Sequence, residues 1–180
     1  TINGSKYSAM NGTSMASPVV AGVAALILSK NPLMTADQVE TVLQKSSVDL
    51  GNIGWDGYYG YGRVDAYKAL QKTSAPISNI TLSSGTFTMT GTNKKTISFN
   101  AYKGSKVSLY VQNSKGITVK KLITNKTWSG GKVSSSWNGT LDNGTYASGG
   151  TYKILAKVNG NGNNVYKSVA LKVVDKVVPS

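Results

Sequence analysis

Asn11–Pro18 (NGTSMASP) leads directly into the apolar run VVAGVAALIL at Val19–Leu28, and this junction is the most informative part of the sequence about the fold. A short polar turn followed by a long apolar run predicts the start of a buried helix. From Met15 to Lys30 nearly every residue is apolar or small, so the helix is predicted to lack a solvent-facing side and to lie in the middle of a domain. Asn31-Pro32 predicts its end, because the residue before a proline avoids the helical conformation.

Ser14 is the residue of this turn that is best placed for chemistry. A serine at the start of a helix lies near the positive end of the helix dipole, where its hydroxyl is a candidate nucleophile. The alternative is that Ser14 only caps the helix, since serine is among the residues most favoured at that position. Ser17 is a second candidate by composition, but it is expected to lie inside the helix.

The string NGTSMASP, followed by VAG, the Ala/Leu/Ile run and KNP, resembles the nucleophile motif of the subtilisin-like serine proteases. The resemblance implies that Ser14 attacks the scissile carbonyl and that its backbone N–H helps to stabilise the oxyanion. Tyr59–Ala66 (YGYGRVDA) is similar to the segment that closes the catalytic domain of that family, so the resemblance covers roughly residues 1–72. Val19 stands where the family commonly has a histidine that is not part of the catalytic triad.

The triad is incomplete in this chain, which contains no histidine. A serine nucleophile needs a base, and in this family the base is a histidine oriented by an aspartate. Because the family order is Asp, His, Ser, the resemblance implies that both partners and the oxyanion-hole asparagine precede Thr1. We therefore expect the C-terminal portion of a serine endopeptidase that acts on proteins or peptides, and we expect this chain alone to be inactive. The alternative is a non-catalytic binding or assembly module attached to a decayed protease.

The resemblance also implies the partners and cofactors of the first part of the chain. Its expected partner is the N-terminal remainder of the catalytic domain. No cofactor or metal is predicted for this chain, and the sequence leaves open a calcium site in the preceding part.

The resemblance implies that residues 1–72 are the C-terminal part of an α/β catalytic domain. Thr1–Met10 is expected to form a hairpin that leads into the motif, and Thr35–Gln38 predicts a capping box before a short amphipathic helix. Gly51–Gly62 is a loop rich in glycine and tyrosine; it lacks the GK[ST] ending of a phosphate-binding loop. Arg63–Leu70 is predicted as the final helix. The residues of this helix that are available for packing are Val64, Ala66, Tyr67 and Leu70.

Residues 73–79 (TSAPISN) have the composition of a linker, after which the pattern changes to short alternating runs. These runs predict an all-β antiparallel sandwich over residues 80–175. Asn113–Gly116 and Asn159–Gly162 are predicted hairpin turns. The predicted strands are Thr86–Met89, Thr96–Phe99, Lys106–Val111, Ile117–Lys120, Val133–Trp137, Tyr152–Val158 and Val165–Val174.

The segment Trp137–Gly144 (WNGTLDNG), followed by Ala147–Tyr152 (ASGGTY), resembles the signature of small immunoglobulin-like modules of bacterial flagellar hook-capping proteins. This resemblance implies a fold rather than a function. Trp128, Trp137 and the tyrosines are expected in the core rather than on a sugar-binding platform.

Charge separates the two parts of the chain. Residues 1–75 carry six Lys or Arg against five acids, a net of +1, whereas residues 76–180 carry fourteen Lys against two acids, a net of +12. Single pairs such as Lys94-Lys95 and Lys120-Lys121 are interpreted as solvated strand faces. The total favours an anionic cell-wall polymer such as a teichoic acid as a partner, and the absence of arginine disfavours nucleic acid, since base readout favours arginine.

The compartment is inferred from what the chain lacks. There is no cysteine, which suits a bacterial exoprotein better than a small extracellular animal domain. Residues 1–10 have no basic start and no apolar core, so no signal peptide is predicted there and the chain is interpreted as an internal or processed piece. The longest apolar run has ten residues, about half of a membrane span. We therefore expect a secreted protein, associated with the bacterial cell wall, with no membrane span.

Overall fold

A computed structural model describes residues 11–175. The hairpin predicted for Thr1–Met10 lies outside the described residues. The chain divides into two compact units, Thr1–Ser74 and Ala75–Ser180. The first unit contains α1 (Thr13–Lys30), α2 (Ala36–Ser46) and α3 (Ala66–Lys72). The second unit contains β1 (Thr81–Leu82), β2 (Thr86–Thr88), β3 (Lys95–Ala101), β4 (Lys106–Gln112), β5 (Thr118–Thr127), β6 (Gly131–Trp137), β7 (Gly150–Gly160) and β8 (Asn163–Val174).

Helix α1 ends where the sequence predicts, but its surroundings differ from the prediction. Asn31 is its C-cap, and the Asn31 amide donates to the carbonyl of Ile27 at 2.9 Å. Only Val23 and Ile27 are buried, whereas 56% of Val19 and 48% of Leu26 are exposed. Among the described helices and strands, α2 and α3 make the main contacts with α1, and they cover one side of it. The prediction that this helix lies in the middle of a domain is therefore wrong for the described part of the chain.

By length and composition alone, the 18 residues of α1 could cross a membrane, a property that the core helices of soluble proteins also have. The ten-residue apolar run is shorter than α1 because small and polar residues extend the helix at both ends. The absence of a membrane span stays a prediction.

The two shorter helices begin at side-chain caps. The predicted capping box of α2 is confirmed: the Gln38 amide donates to Thr35 Oγ1 at 3.4 Å, and the Thr35 amide donates to Gln38 Oε1 at 2.9 Å. Helix α3 begins three residues later than predicted, because the carboxylate of Asp65 accepts the Lys68 amide at 2.9 Å. Tyr67 is 72% exposed, so the prediction that it packs is wrong.

The second unit is a sandwich of two sheets. The smaller sheet has the strand order β1-β3-β6, and the larger has the order β2-β8-β7-β4-β5. Alternate residues of each strand point between the sheets, as in the β3 pattern where Lys95, Ile97, Phe99 and Ala101 are buried. This interleaving of apolar side chains from two inner faces is what holds a sandwich together.

The strand predictions are confirmed, with three differences. Strand β1 has only two residues and was not predicted, and β5 continues to Thr127 through the polar sequence TNKT. The sandwich is not entirely antiparallel, because β2 pairs with β8 in parallel. These two strands are far apart in the chain, so no tight turn imposes an antiparallel direction on them.

Both predicted hairpin turns are confirmed. Asn113–Gly116 joins β4 to β5, and the Gly116 amide donates to the Asn113 carbonyl at 3.0 Å. At the β7–β8 turn, Gly160 pairs with Asn163, and the two central residues have positive φ: 47° at Asn161 and 74° at Gly162. Positive φ at both central residues defines the type I′ turn, which matches the twist of the flanking strands.

Several assignments within the second unit need correction. Ile77, placed in the predicted linker, is buried and forms a bridge with Ala101, so the end of that segment belongs to the sandwich. Trp137 lies in the core as predicted. Trp128 is only half-buried, however, and Tyr146 and Tyr166 are exposed.

Lys95 is buried rather than solvated. Its side chain is only 3% exposed, and Nζ donates to Ser84 Oγ and to the carbonyl of Thr86. Burial lowers the pKa of the Lys95 ammonium below its usual value. The interpretation as a solvated face fails here because Lys95 occupies an inward position of β3.

Candidate active site

The turn before α1 is formed by Gly12. Its backbone has φ 152° and ψ 163°, a conformation that only glycine adopts readily. The amides of Met15 and Ala16 donate to the Gly12 carbonyl at 3.0 and 3.2 Å, which closes the first turn of the helix. Gly12 therefore lets the chain enter α1 abruptly, two residues before Ser14.

Ser14 is the second residue of α1 and is exposed. The interpretation of Ser14 as the cap is wrong, because Gly12 occupies that position and has no side chain to accept a hydrogen bond. The amide of a residue in the first helical turn has no acceptor within the helix and points toward the approaching chain or solvent. The hydroxyl and amide of Ser14 are thus both placed near the positive end of an 18-residue helix. Ser17 lies one turn further on, inside α1 as expected.

No base accompanies this serine. The chain has no histidine that could take the proton of the Ser14 hydroxyl. Without a group that removes its proton, a serine hydroxyl is a weak nucleophile. The structure therefore places Ser14 at the start of a helix without a histidine beside it, and its role as nucleophile stays a prediction.

The apolar surface around α1 is unusually open. Large apolar side chains are also exposed in the Gly51–Gly62 loop, where Ile53 is fully exposed and Tyr58 is 96% exposed. Large exposed apolar surface is typical of an interaction site. The exposed large apolar residues of this unit are Met15, Val19, Val20, Leu26, Leu28, Leu50, Ile53, Trp55, Tyr58, Tyr59, Tyr61 and Tyr67.

The Gly51–Gly62 loop is organised by Asp56, which the sequence did not single out. Its Oδ1 accepts the amides of Tyr58 and Tyr59, both at 2.8 Å, and its Oδ2 accepts the Asn52 amide at 3.2 Å. Backbone bonds between Asp56 and Gly60, at 3.0 and 2.8 Å, close the loop. The sequence does contain a signal for this turn. Asp56 lies two and three residues before the amides that it binds, and aspartate side chains commonly form such turns.

Gly62 closes the base of this loop. Its φ is 95°, and a Cβ at this position would overlap the carbonyl of Val48. Val48 and Arg63 exchange backbone hydrogen bonds at 2.8 and 2.9 Å beside it. Gly62, the second glycine of the YGxG segment, is therefore required because the backbone passes too close to Val48 for any side chain.

Asp56 makes the loop sensitive to acid. The amides of Tyr59 and Tyr58 hold the pKa of the Asp56 carboxyl below its usual value, because they bind the ionised form. A lowered folded pKa means that the stabilisation is present above about pH 4 and is lost as the pH falls through the folded value. We expect the amide resonances of Tyr58 and Tyr59 to titrate with a midpoint below about pH 3.9, as followed by NMR.

The matched variant for this prediction is Asp56→Asn. It keeps an acceptor oxygen but has no charge to titrate, so the acid transition of the two tyrosine amides should disappear. A midpoint at or above the usual carboxyl value in the unsubstituted chain would contradict the assignment.

Metal ligands are not grouped in the described part of the chain. Within residues 11–175 no cluster of three or more His, Cys, Asp or Glu could hold an ion. A calcium site in the preceding part of the protein stays a prediction.

Two family models match this chain. Residues 1–62 match the subtilase family, and residues 83–162 match the FlgD Ig-like domain. Subtilisin E of Bacillus subtilis (strain 168) is 49% identical over 71 residues, which cover 39% of this chain and 18% of subtilisin E. An extracellular serine protease of Serratia marcescens is 44% identical over 64 residues, covering 36% of this chain and 6% of that protein.

Among solved structures, FlgD of Pseudomonas aeruginosa aligns at 22% identity with a TM-score of 0.40, covering 53% of this chain and 70% of that one. The chain spans less than a fifth of the length of the two protease relatives named above. Residues 1–62 are thus similar to subtilases, and residues 83–162 are similar to the FlgD Ig-like domain.

Proposed function

Because residues 1–62 are subtilase sequence, we propose that this chain is the nucleophile-bearing portion of a secreted serine endopeptidase, with Ser14 as the nucleophile. The observation that carries the proposal is the exposed position of Ser14 in the first turn of α1, inside the matched segment. The extracellular serine protease among the relatives supports secretion.

The reaction is acyl transfer to Ser14 and then to water. Ser14 Oγ attacks the carbonyl carbon of the peptide while a histidine from the remainder of the domain takes the hydroxyl proton. The resulting oxyanion accepts a hydrogen bond from the Ser14 amide. Collapse of this intermediate expels the amine, which receives the proton from the histidine. Water then attacks the acyl-enzyme in the same way, releasing the acid and restoring the Ser14 hydroxyl.

The remainder of the catalytic domain is proposed as the partner that covers α1. The exposed residues of α1 include Val19 and Leu26. A helix with apolar residues on most sides is stable only when other parts of the protein cover it. The small fraction of the protease relatives that the chain spans leaves ample sequence to supply this cover. Any calcium site of the whole protein is assigned to that remainder.

The sandwich is proposed to retain the enzyme at an anionic polymer of the bacterial cell wall. Fourteen lysines and no arginine in residues 76–180 favour diffuse charge attraction over base readout. Such attraction is screened by salt, so retention on purified cell walls should fall steeply as ionic strength rises.

Purified residues 1–180 are expected to show no hydrolysis of a peptide substrate, because the chain has no histidine to act as base. The whole protein, assayed beside it, is expected to hydrolyse the same substrate. Appreciable hydrolysis by the isolated chain would contradict the proposal that the catalytic base lies outside residues 1–180. Inactivity of the whole protein would instead favour the alternative, a binding or assembly module attached to a decayed protease.

A further inference from the structure

Most lysines of the sandwich lie on strands that contain no carboxylate. The eight described strands contain no Asp or Glu; the two acids of this unit are Asp142, between β6 and β7, and Asp175, after β8. Asp142 pairs with Lys120 at 3.3 Å and accepts the Lys121 amide, and the Asp175 carboxylate accepts the Gly149 amide. Apart from the place where Asp142 meets β5, the charged side chains of the strands are therefore all cationic.

The register places five of these lysines on the outer face of the larger sheet. Residues directly opposite each other in a pair of strands point to the same side, and the inward side is identified by its buried members Val107, Leu109, Ile154 and Ala156. Lys153 and Lys157 alternate with the two buried residues of β7, and so they point outward. The outer face carries Lys106, Lys121, Lys153, Lys157 and Lys172, defined here as the lysine face.

The smaller sheet shows that this is not a general property of the surface. Its outward positions are mainly hydroxyls and amides, with Lys132 opposite Asn100 as the lysine on its paired strands. Thr96 faces Ser136, and Ser98 faces Ser134. On the outward strand positions, five lysines thus lie on the larger sheet and one, Lys132, on the smaller.

A groove lies across one end of the lysine face. It has a volume of about 610 Å³ and is bordered by the Asn113–Gly116 turn, with Lys153 on β7 and Ser168 on β8. Lys115 and Lys153 line it, and Lys172 lies on the strand register next to it, opposite Thr151. Two ammonium groups and several hydroxyls suit a phosphate group, which accepts hydrogen bonds from both.

The spacing of the lysine face suits a long ligand. Lys153 and Lys157 are four residues apart on one strand, a separation of about 13 Å, and diagonal neighbours on adjacent strands such as Lys153 and Lys172 are about 7–8 Å apart. Lys157 also lies 5.9 Å above the ring of Tyr166, which keeps its charge on the outer face. No carboxylate within the described residues pairs with any lysine of the face.

From this arrangement we infer that the lysine face binds a linear polymer with repeated phosphate groups, seated along the larger sheet and entering the groove beside the Asn113–Gly116 turn. The inference rests on the proposed retention of the enzyme by an anionic wall polymer. It adds that one face and its groove are responsible, rather than the net charge of the unit as a whole.

The test compares two variants of the full chain that lose the same charge. The first is Lys106→Gln, Lys153→Gln, Lys172→Gln on the lysine face, and the second is Lys94→Gln, Lys103→Gln, Lys132→Gln elsewhere on the sandwich. All six lysines are exposed, so both variants should fold, as thermal melting would verify. The probe is poly(glycerol phosphate) of defined length, with binding measured by titration calorimetry at low salt.

The lysine-face variant should bind roughly 30- to 100-fold more weakly than the unsubstituted chain, since each lysine near an anionic surface contributes about a fivefold factor. The control variant should lose less than about fivefold. Equal losses in the two variants would overturn the inference while leaving the wall-retention proposal intact. Failure of the unsubstituted chain to bind the probe would overturn both, and tighter binding to single-stranded DNA of equal charge would show that the polymer has been wrongly identified.

Discussion

Ser14→Ala in the whole protease is expected to lower kcat for peptide hydrolysis by about 10⁶-fold, the size of loss measured for removal of the nucleophile in subtilisin. The reason is that alanine has no oxygen to form the acyl-enzyme, and the remaining groups of the site cannot replace it. The substitution should leave folding intact, because Ser14 is exposed and alanine is a good helix former. Activity is measured by hydrolysis of a peptide substrate at saturating concentration.

The matched control is Ser17→Ala, which removes the same hydroxyl one turn further along the same helix. It is expected to retain kcat within a few-fold, since a residue inside the helix has no role in the proposed chemistry. If the two variants lost activity equally, or if Ser14→Ala kept its activity, the nucleophile would have been wrongly assigned.

Trp137→Ala should destabilise the sandwich by about 3–5 kcal/mol, as expected for truncation of a large aromatic side chain in a core. Trp137 is 1% exposed, and its ring lies 5.9 Å from that of Phe87 and 5.8 Å from that of Tyr152. The substitution therefore removes contacts that link both sheets. With a total stability of about 5–15 kcal/mol for a typical domain, the loss should be visible as a large fall in the urea midpoint.

Trp137→Phe separates the ring from its hydrogen bond. Trp137 Nε1 donates to the carbonyl of Thr140 at 2.8 Å, and phenylalanine leaves that carbonyl without this donor while keeping an aromatic ring in the core. We expect a loss of about 1–3 kcal/mol, smaller than that of the alanine variant. Unfolding is followed by far-UV circular dichroism, because Trp55 and Trp128 would complicate fluorescence. A loss below 1 kcal/mol for Trp137→Ala would contradict the central role given to this side chain.

The sequence correctly predicted those structural features that depend on residues close together in the chain. The Thr35–Gln38 capping box, the stop at Asn31-Pro32 and the Asn161-Gly162 turn depend on residues within a few positions of one another. The alternation of β3 likewise reports burial on one face of a single strand. The family match of residues 1–62 agrees with the resemblance carried by NGTSMASP.

Partners distant in the chain decided what the sequence left open. The parallel pairing of β2 with β8 joins segments more than 80 residues apart, and the buried position of Lys95 depends on Ser84 and Thr86 folding over it. The collection of five lysines on one face also follows from strand register, which adds contributions from β4, β5, β7 and β8.

From the amino-acid sequence alone follow the three helices, seven of the eight strands, the two hairpin turns and the resemblance of the segment around Ser14 to subtilases, because each rests on short-range stereochemistry or on a contiguous motif. The folded structure was needed to show that α1 is covered mainly on one side among the described residues, and that five lysines share the outer face of the larger sheet. Burial and surface charge depend on neighbours in space, and those neighbours are set by packing rather than by adjacency in the chain.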